Sequence, residues 1–158
     1  MNERSATLSS WMEPVGLAIS ACGGQGSFLV SLGTYRPDLV RALAHSLDFA
    51  FVDFRAEYMA PLGAGASGVP LERINEVATN PMGRAGIVIH NVEGLLSTRG
   101  TDVRRAWLAD LISFTSRHAV VVPLALYCGD APSPNPRHVE IDPAVLPEEK
   151  LLMRLASR

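Results

Sequence analysis

Lysine is almost absent from this sequence. The chain has 158 residues and 14 basic side chains, and Lys150 is its only lysine, so the other 13 basic residues are arginine. Any chemistry that needs a lysine amine within residues 1–149 is therefore excluded. This covers a Schiff base, a lysine general base and the lysine that grips phosphate in a P-loop.

Cysteine, long apolar runs and excess positive charge are scarce as well. Cys22 and Cys128 are far apart and form no CxxC pair, which predicts two free thiols in a reducing compartment. No apolar run reaches the roughly 18 to 20 residues of a membrane span, and residues 1–14 lack the apolar stretch of a signal peptide. The net charge of −2 argues against nucleic acid as a partner. We expect a cytoplasmic protein with no membrane association.

Hydrophobic residues make up 47% of the chain, enough for the core of one domain. Glycine and proline clusters separate apolar segments of alternating character. The pattern predicts helices over residues 5–21, 37–47, 71–79, 102–116 and 147–156, and strands over 28–32, 49–54, 86–90, 119–126 and 138–142, the last at an edge. This order predicts an α/β fold with three layers, in which a mostly parallel five-stranded sheet carries helices on both faces. Residues 1–27 are expected to form a helical segment that packs on a single domain, residues 28–158.

Two glycine clusters invite a phosphate-binding interpretation, and their contexts argue against it. Residues 63–68 match GxGxxG, but the preceding residues are a poor strand and Pro70 follows at once, which predicts a flexible surface loop. Residues 22–26 read CGGQG, and a strand rather than a helix follows them. They are expected to end the first helix and lead into the sheet.

The larger pattern lies in the order of the elements. The first strand ends at Gly33 and a helix with the pattern LVRALAHSL follows; the next strand ends at Asp53, a later buried strand runs on to Glu93, and another breaks at Cys128. This order resembles the core of P-loop NTPases of the RecA-like and AAA type over residues 28 to about 156. The resemblance implies nucleotide-binding positions at Gly33, Thr34, Tyr35 and Arg36, and catalytic positions at Asp53, Asn91 and Glu93.

The chain departs from the family at both of its motifs. The loop after Gly33 has no second glycine, no lysine and no Ser/Thr to hold magnesium, and Asp38 occupies the first helical turn, where the family places phosphate. The strand of residues 86–90 runs into His90 and Asn91 instead of aspartate. We therefore expect a P-loop-like adaptor without catalysis or cofactor, working in a larger assembly with a protein partner, either an active ATPase or further copies of itself.

Two enzymatic alternatives remain open from the sequence. One is a divergent nucleotide-binding protein or weak NTPase that a partner completes. The other is a metal-dependent nuclease that uses Asp53, Glu57 and Glu93, which are expected at the carboxyl ends of parallel strands. The four histidines show no metal-ligand spacing, and the leading hypothesis includes no metal.

Candidate partner contacts lie in three parts of the sequence. Trp11 and Met12 on the first helix are one set, and the segment 57–85 is another region of interest. Arg99, Arg104 and Arg105, near the helix of residues 102–116, form a third set as a basic patch, although Asp102 and Asp110 alternate with them and also fit an ion-paired helix face.

Overall fold

The computed structural model describes residues 8–148, and these form one parallel sheet with helices on both faces. The strands are β1 (Gly26–Ser31), β2 (Ala50–Asp53), β3 (Gly86–His90), β4 (Ala119–Leu124) and β5 (His138–Glu140). Their order in the sheet is β2-β3-β4-β1-β5, and all four neighbouring pairs are parallel. The predicted three-layer α/β class is confirmed, and β5 lies at an edge as expected.

The helices are α1 (Glu13–Ala21), α2 (Pro37–Leu47), α3 (Glu72–Ala78), α4 (Glu93–Leu96) and α5 (Thr101–Ser113). None of the helices in residues 8–148 combines the length and the apolar character that a bilayer crossing requires. The predicted helix over 147–156 lies outside the described residues, apart from its first two positions.

Alternation along the strands builds two hydrophobic clusters, one on each face of the sheet. Phe28 and Val30 of β1 pack with α1 and α2, whereas Leu29 between them packs with α3, α4 and α5. The same alternation holds in β3, where Val88 faces the first cluster and Ile87 the second. Strands that are buried on both faces need continuous apolar sequence, which explains the β-branched runs.

Trp11 and Met12, which were predicted as partner contacts, belong to the hydrophobic core. The helix predicted over residues 5–21 begins only at Glu13, and Pro14 lies in its first turn, where a missing N–H costs nothing. Trp11 and Met12 precede the helix and are only 4% and 2% exposed. They contact the cluster around α2 and are not accessible to a partner. The strand itself begins at Gly26, so the predicted boundary after residue 27 falls inside β1.

The glycine-rich segment is helical, which sequence patterns did not predict. A π-helical turn over Arg55–Met59 continues into 3-10 turns over Ala60–Gly68, broken at Gly63 where the backbone is left-handed. The segment is largely exposed, as expected, but it is not a plain loop. No strand leads directly into Gly63, so the dinucleotide-binding interpretation has no structural support. Residues 22–25 end α1 and lead into β1 as predicted.

Candidate functional site

The loops after four adjacent strands enclose a cleft of about 420 Å³ at the carboxyl edge of the sheet. We call it the central cleft. Ligands of open α/β sheets collect at this edge, where neighbouring strands connect to opposite faces. Here β1 and β3 lie on either side of β4; β1 continues into α2 on one face, and β3 continues into α4 on the other. The cleft is lined by Gly33, Thr34, Tyr35, Arg55, Asn91, Glu93, Gly94, Ser97, Ala125 and Leu126.

An early end to the β3–β4 pairing accompanies the cleft. The paired residues stop at Val88 and Val121, while β1 and β4 stay paired as far as Leu124. Pro123 has no N–H to donate, and a proline in a central strand requires a side on which pairing has ended. Beyond that point a side chain pairs with the backbone that follows β4: Glu93 Oε2 accepts a 2.7 Å hydrogen bond from the backbone N–H of Ala125.

The first turn of α2 is occupied by the chain's own ion pair. Gly33 adopts a left-handed conformation (φ +68°) and turns the chain out of β1. Both Arg36 Nε and Nη2 donate to the Asp38 carboxylate, at 3.1 and 2.9 Å, and Nη1 donates to the Pro147 carbonyl at 2.8 Å. The hydrogen bond from Arg36 is the main cause that holds the pKa of Asp38 below its usual value; partial burial opposes this shift.

The acidic candidates are held individually by hydrogen bonds. Asp53 Oδ1 accepts from the Ala56 N–H at 3.0 Å and from Asn91 Nδ2 at 3.1 Å, and Glu57 Oε2 accepts from the Asp53 N–H at 3.0 Å. Within residues 8–148, no three His, Cys, Asp or Glu side chains form a set that could hold a metal ion. The metal-dependent nuclease thus has no supporting arrangement in this part of the chain.

His90 and Tyr35 form a stacked pair beside the cleft. Their ring centroids are 5.8 Å apart with an interplanar angle of 20°, and Phe51 contacts the imidazole from another direction, also at 5.8 Å. His90 is buried, and among the described residues its Nε2 has no hydrogen-bond partner. Burial is the main cause that lowers the pKa of His90, with the nearby charge of Arg41 adding to the shift and Asp53 opposing it.

The predicted arginine patch is engaged in internal contacts. Arg104 Nε donates to Asp130 Oδ2 at 2.9 Å and its guanidinium lies 4.3 Å from the centre of the Tyr127 ring. Arg105 reaches the other oxygen of Asp130 at 3.3 Å. Arg99 donates to the carbonyls of Ser67 and Val69 and so fastens the 60–68 segment. These contacts support the interpretation as an ion-paired helix face.

The structure gathers most of the predicted positions in one place. Gly33, Thr34, Tyr35, Asn91 and Glu93 all line the central cleft, and Asp53 touches it through Asn91. Arg36 contributes instead to a neighbouring groove next to residues 143–148. Sequence reasoning did not assign Arg55 or His90 to the site. Their positions directly after β2 and at the end of β3 are the only signals that could have pointed to them.

Comparison with known proteins adds no relative. No protein-family model matches the chain, and neither the curated proteins nor the solved structures contain a significantly similar one.

Proposed function

We propose that this chain is a non-catalytic, P-loop-like interaction subunit that acts through a protein partner. The observation that carries the proposal is the ion pair of Arg36 and Asp38 in the first turn of α2. A helix N-terminus attracts anions through its free N–H groups, and here a carboxylate of the same chain already lies there. A second carboxylate, Glu93, lies in the adjoining cleft. Together they disfavour a triphosphate.

The catalytic alternative lacks the groups that phosphoryl transfer requires. Such enzymes position the phosphates and stabilise their charge with a lysine, a magnesium ion and donors at the loop. Arg36 is committed to Asp38 and Pro147, and the cleft contains a single arginine, Arg55. Glu93 could orient a water molecule in an active relative, but here it holds the backbone N–H of Ala125.

The partner surface is expected on the 55–68 segment. Leu62 is exposed there, and a groove of about 530 Å³ between this segment and α3 is lined largely by Tyr58, Pro61, Leu62, Val69 and Pro70. Exposed apolar side chains beside a groove are typical of protein interaction sites. Arg99 fixes the segment to the body of the domain through two carbonyls, which preorganises it for binding.

Quantitative affinity purification from the source cells tests the proposal, with the wild type and two surface variants as bait. Leu62→Asp places a charge in the proposed surface, and Leu17→Asp places one on the exposed side of α1 as the matched control. We expect at least one protein to be recovered with the wild type and with Leu17→Asp but depleted with Leu62→Asp. Equal recovery with all three baits contradicts the proposed surface.

A hydrolysis assay tests the absence of catalysis. We expect no phosphate release from Mg²⁺·ATP above the buffer rate, alone or with the recovered partner. Hydrolysis that the partner stimulates and that Glu93→Gln abolishes contradicts the proposal and favours an NTPase completed in trans.

A further inference from the structure

The central cleft has the size and the walls of a small-molecule site. Its volume of about 420 Å³ lies in the range of roughly 300–1,000 Å³ that such sites have. Apolar surface comes from Leu126 and the Tyr35 ring, and polar groups come from Arg55 and Glu93. One positive and one negative side chain leave the cleft close to neutral, which favours an uncharged ligand.

Tyr35 supplies a flat surface for stacking. Its ring rests on His90, which fixes its orientation, yet the residue is 57% exposed. A tyrosine whose ring contacts the protein on one side and solvent on the other can stack against a planar ligand. Stacking of a base on an aromatic side chain contributes about 1–3 kcal/mol to binding. The loop that carries Tyr35 is shaped by the left-handed Gly33 and by the start of α2.

A hydrogen-bond donor, Arg55, and an acceptor, Glu93, also line the cleft. Glu93 uses Oε2 to hold the Ala125 N–H, and a carboxylate has about four lone-pair sites, so it can accept more hydrogen bonds. The aliphatic part of the Arg55 side chain lies next to Gly94, the residue that follows Glu93. A Cβ built on Gly94 would lie 3.7 Å from Arg55 Cδ. A planar ligand edge with both a donor and an acceptor matches this pair.

A second observation concerns a small cavity that adjoins the cleft. His90 lines a cavity of about 10 Å³ directly beside the cleft. The cavity and the cleft share the lining residues Thr34, Tyr35, Glu93 and Ala125. In the described part of the chain its buried Nε2 has no partner, and a buried polar atom without a partner is costly. A single water molecule or a small polar group of a ligand fits such a space.

We propose that the central cleft binds a planar, uncharged nitrogen heterocycle of the guanine class, as free base or nucleoside and without phosphate. The ring stacks on Tyr35, the N–H groups of its amino edge donate to Glu93, and Arg55 donates to the ring oxygen or nitrogen. Arginine pairs with the O6 and N7 acceptors of guanine more often than with any other base edge. Among the described residues, no free positive charge is left for a phosphate, because Arg36 is paired with Asp38 and Glu93 balances Arg55 in the cleft.

Calorimetric titration with guanosine tests this proposal on the full chain. We expect saturable binding with one ligand per chain, at least tenfold weaker in Tyr35→Ala, unchanged in Tyr35→Phe, and at least tenfold weaker in Glu93→Gln. Leu17→Ala, on the exposed side of α1, is the matched control and binds as the wild type does. Far-UV circular dichroism checks that each variant is folded.

Competing ligands separate the possible outcomes. Adenosine and guanosine triphosphate are expected to bind at least tenfold more weakly than guanosine, the first because its edge carries a different donor pattern and the second because of its charge. No saturable binding of guanosine, or equal binding by Tyr35→Ala, overturns the proposal. Failure of guanosine to bind leaves the proposed interaction subunit untouched, whereas tighter binding of the triphosphate contradicts both.

Discussion

At the scale of single residues, the Arg36–Asp38 pair determines what the first turn of α2 can accept. The carboxylate satisfies the helix dipole and a two-pronged hydrogen bond at the same time. It therefore places a negative charge of the chain's own in the first turn of the helix, where a phosphate would otherwise bind. An aspartate beside a helix-starting proline is a common capping signal, so the sequence alone already indicated this charge. The pairing with Arg36 required the structure.

Replacing Asp38 by asparagine measures how much the ion pair with Arg36 contributes to the stability of the fold. Asp38→Asn removes a partly exposed ion pair and one favourable helix-terminal charge, and we expect it to lower the free energy of unfolding by about 0.5–1.5 kcal/mol at neutral pH. The folded state lowers the pKa of Asp38, so its contribution exists above the usual aspartate pKa and disappears as the pH falls through the folded value. Urea unfolding of both proteins between pH 7 and pH 3 should show the two stabilities converging; a constant difference contradicts this account.

His90 also makes the protein less stable as the pH falls, on the acidic side of neutrality. Because burial lowers its pKa in the folded state, the unfolded chain takes up the proton more readily, and stability falls as the pH drops below about 6.5. We expect His90→Phe to lack this loss, so the stability of the wild type relative to the variant should decrease from pH 8 to pH 5.5. The other three histidines are common to both proteins and cancel. A difference that does not change with pH contradicts the lowered pKa.

At the scale of elements, close approach between β3 and β4 depends on Gly86. A Cβ at this position would lie 2.7 Å from the Ala119 carbonyl oxygen and 2.8 Å from the Phe49 ring. Gly86→Ala must move backbone at the start of the central strands, and we expect a loss of about 1–3 kcal/mol in urea unfolding. Gly129→Ala, which meets nothing within 4 Å, is the control and should cost less than about 1 kcal/mol. Equal losses in both variants contradict the contact.

Asp130 attaches the 128–130 turn to α5 through Arg104 and Arg105, and these two arginines differ in how exposed they are. The side chain of Arg104 is 14% exposed and that of Arg105 is 62% exposed. We expect Arg104→Gln to cost about 1–3 kcal/mol in thermal or urea unfolding, since a charged hydrogen bond in a shielded position is lost. Arg105→Gln should cost below about 1 kcal/mol. A larger loss for Arg105→Gln contradicts this ranking.

Elements were predictable wherever the hydrophobic pattern alone determines them. Continuous apolar runs identified β3 and β4, and Pro37 with Asp38 marked the start of α2. The 55–68 segment was not predictable, because its glycine and alanine residues carry no hydrophobic periodicity. Trp11 and Met12 were assigned to the surface for a similar reason: a short helix start gives no sign of which side the sheet covers.

At the scale of the whole molecule, strand order creates the site. Sequence patterns predicted five parallel strands, but adjacency in a parallel sheet is set by long-range crossovers that leave no local trace. The order β2-β3-β4-β1-β5 places the loops after β1 and β3 on either side of the end of β4. Residues far apart in the chain, Tyr35 and Glu93 among them, thereby face one cleft. The candidate residues could be named from the sequence, whereas their convergence could not.

The central cleft and the groove of the 55–68 segment lie on either side of this segment and meet at Arg55. One positive and one negative side chain line the central cleft, and the 55–68 segment offers a largely apolar groove towards α3. We expect occupancy of one to leave the other available. Partner recovery in the presence of excess guanosine should therefore match recovery without it, and loss of the partner would show that the two surfaces overlap.

The central claim is that the loop after Gly33, with the chain's own ion pair in the first turn of α2, does not hold the phosphates of a nucleotide. Isothermal titration of the wild type with Mg²⁺·ATP tests it most directly. The account predicts no saturable heat at millimolar nucleotide, with the ion pair intact and also in Asp38→Asn, because the lysine, the second glycine and the magnesium-binding hydroxyl of the loop are missing. Saturable binding of one Mg²⁺·ATP per chain that weakens when Arg36 is replaced by glutamine would contradict it.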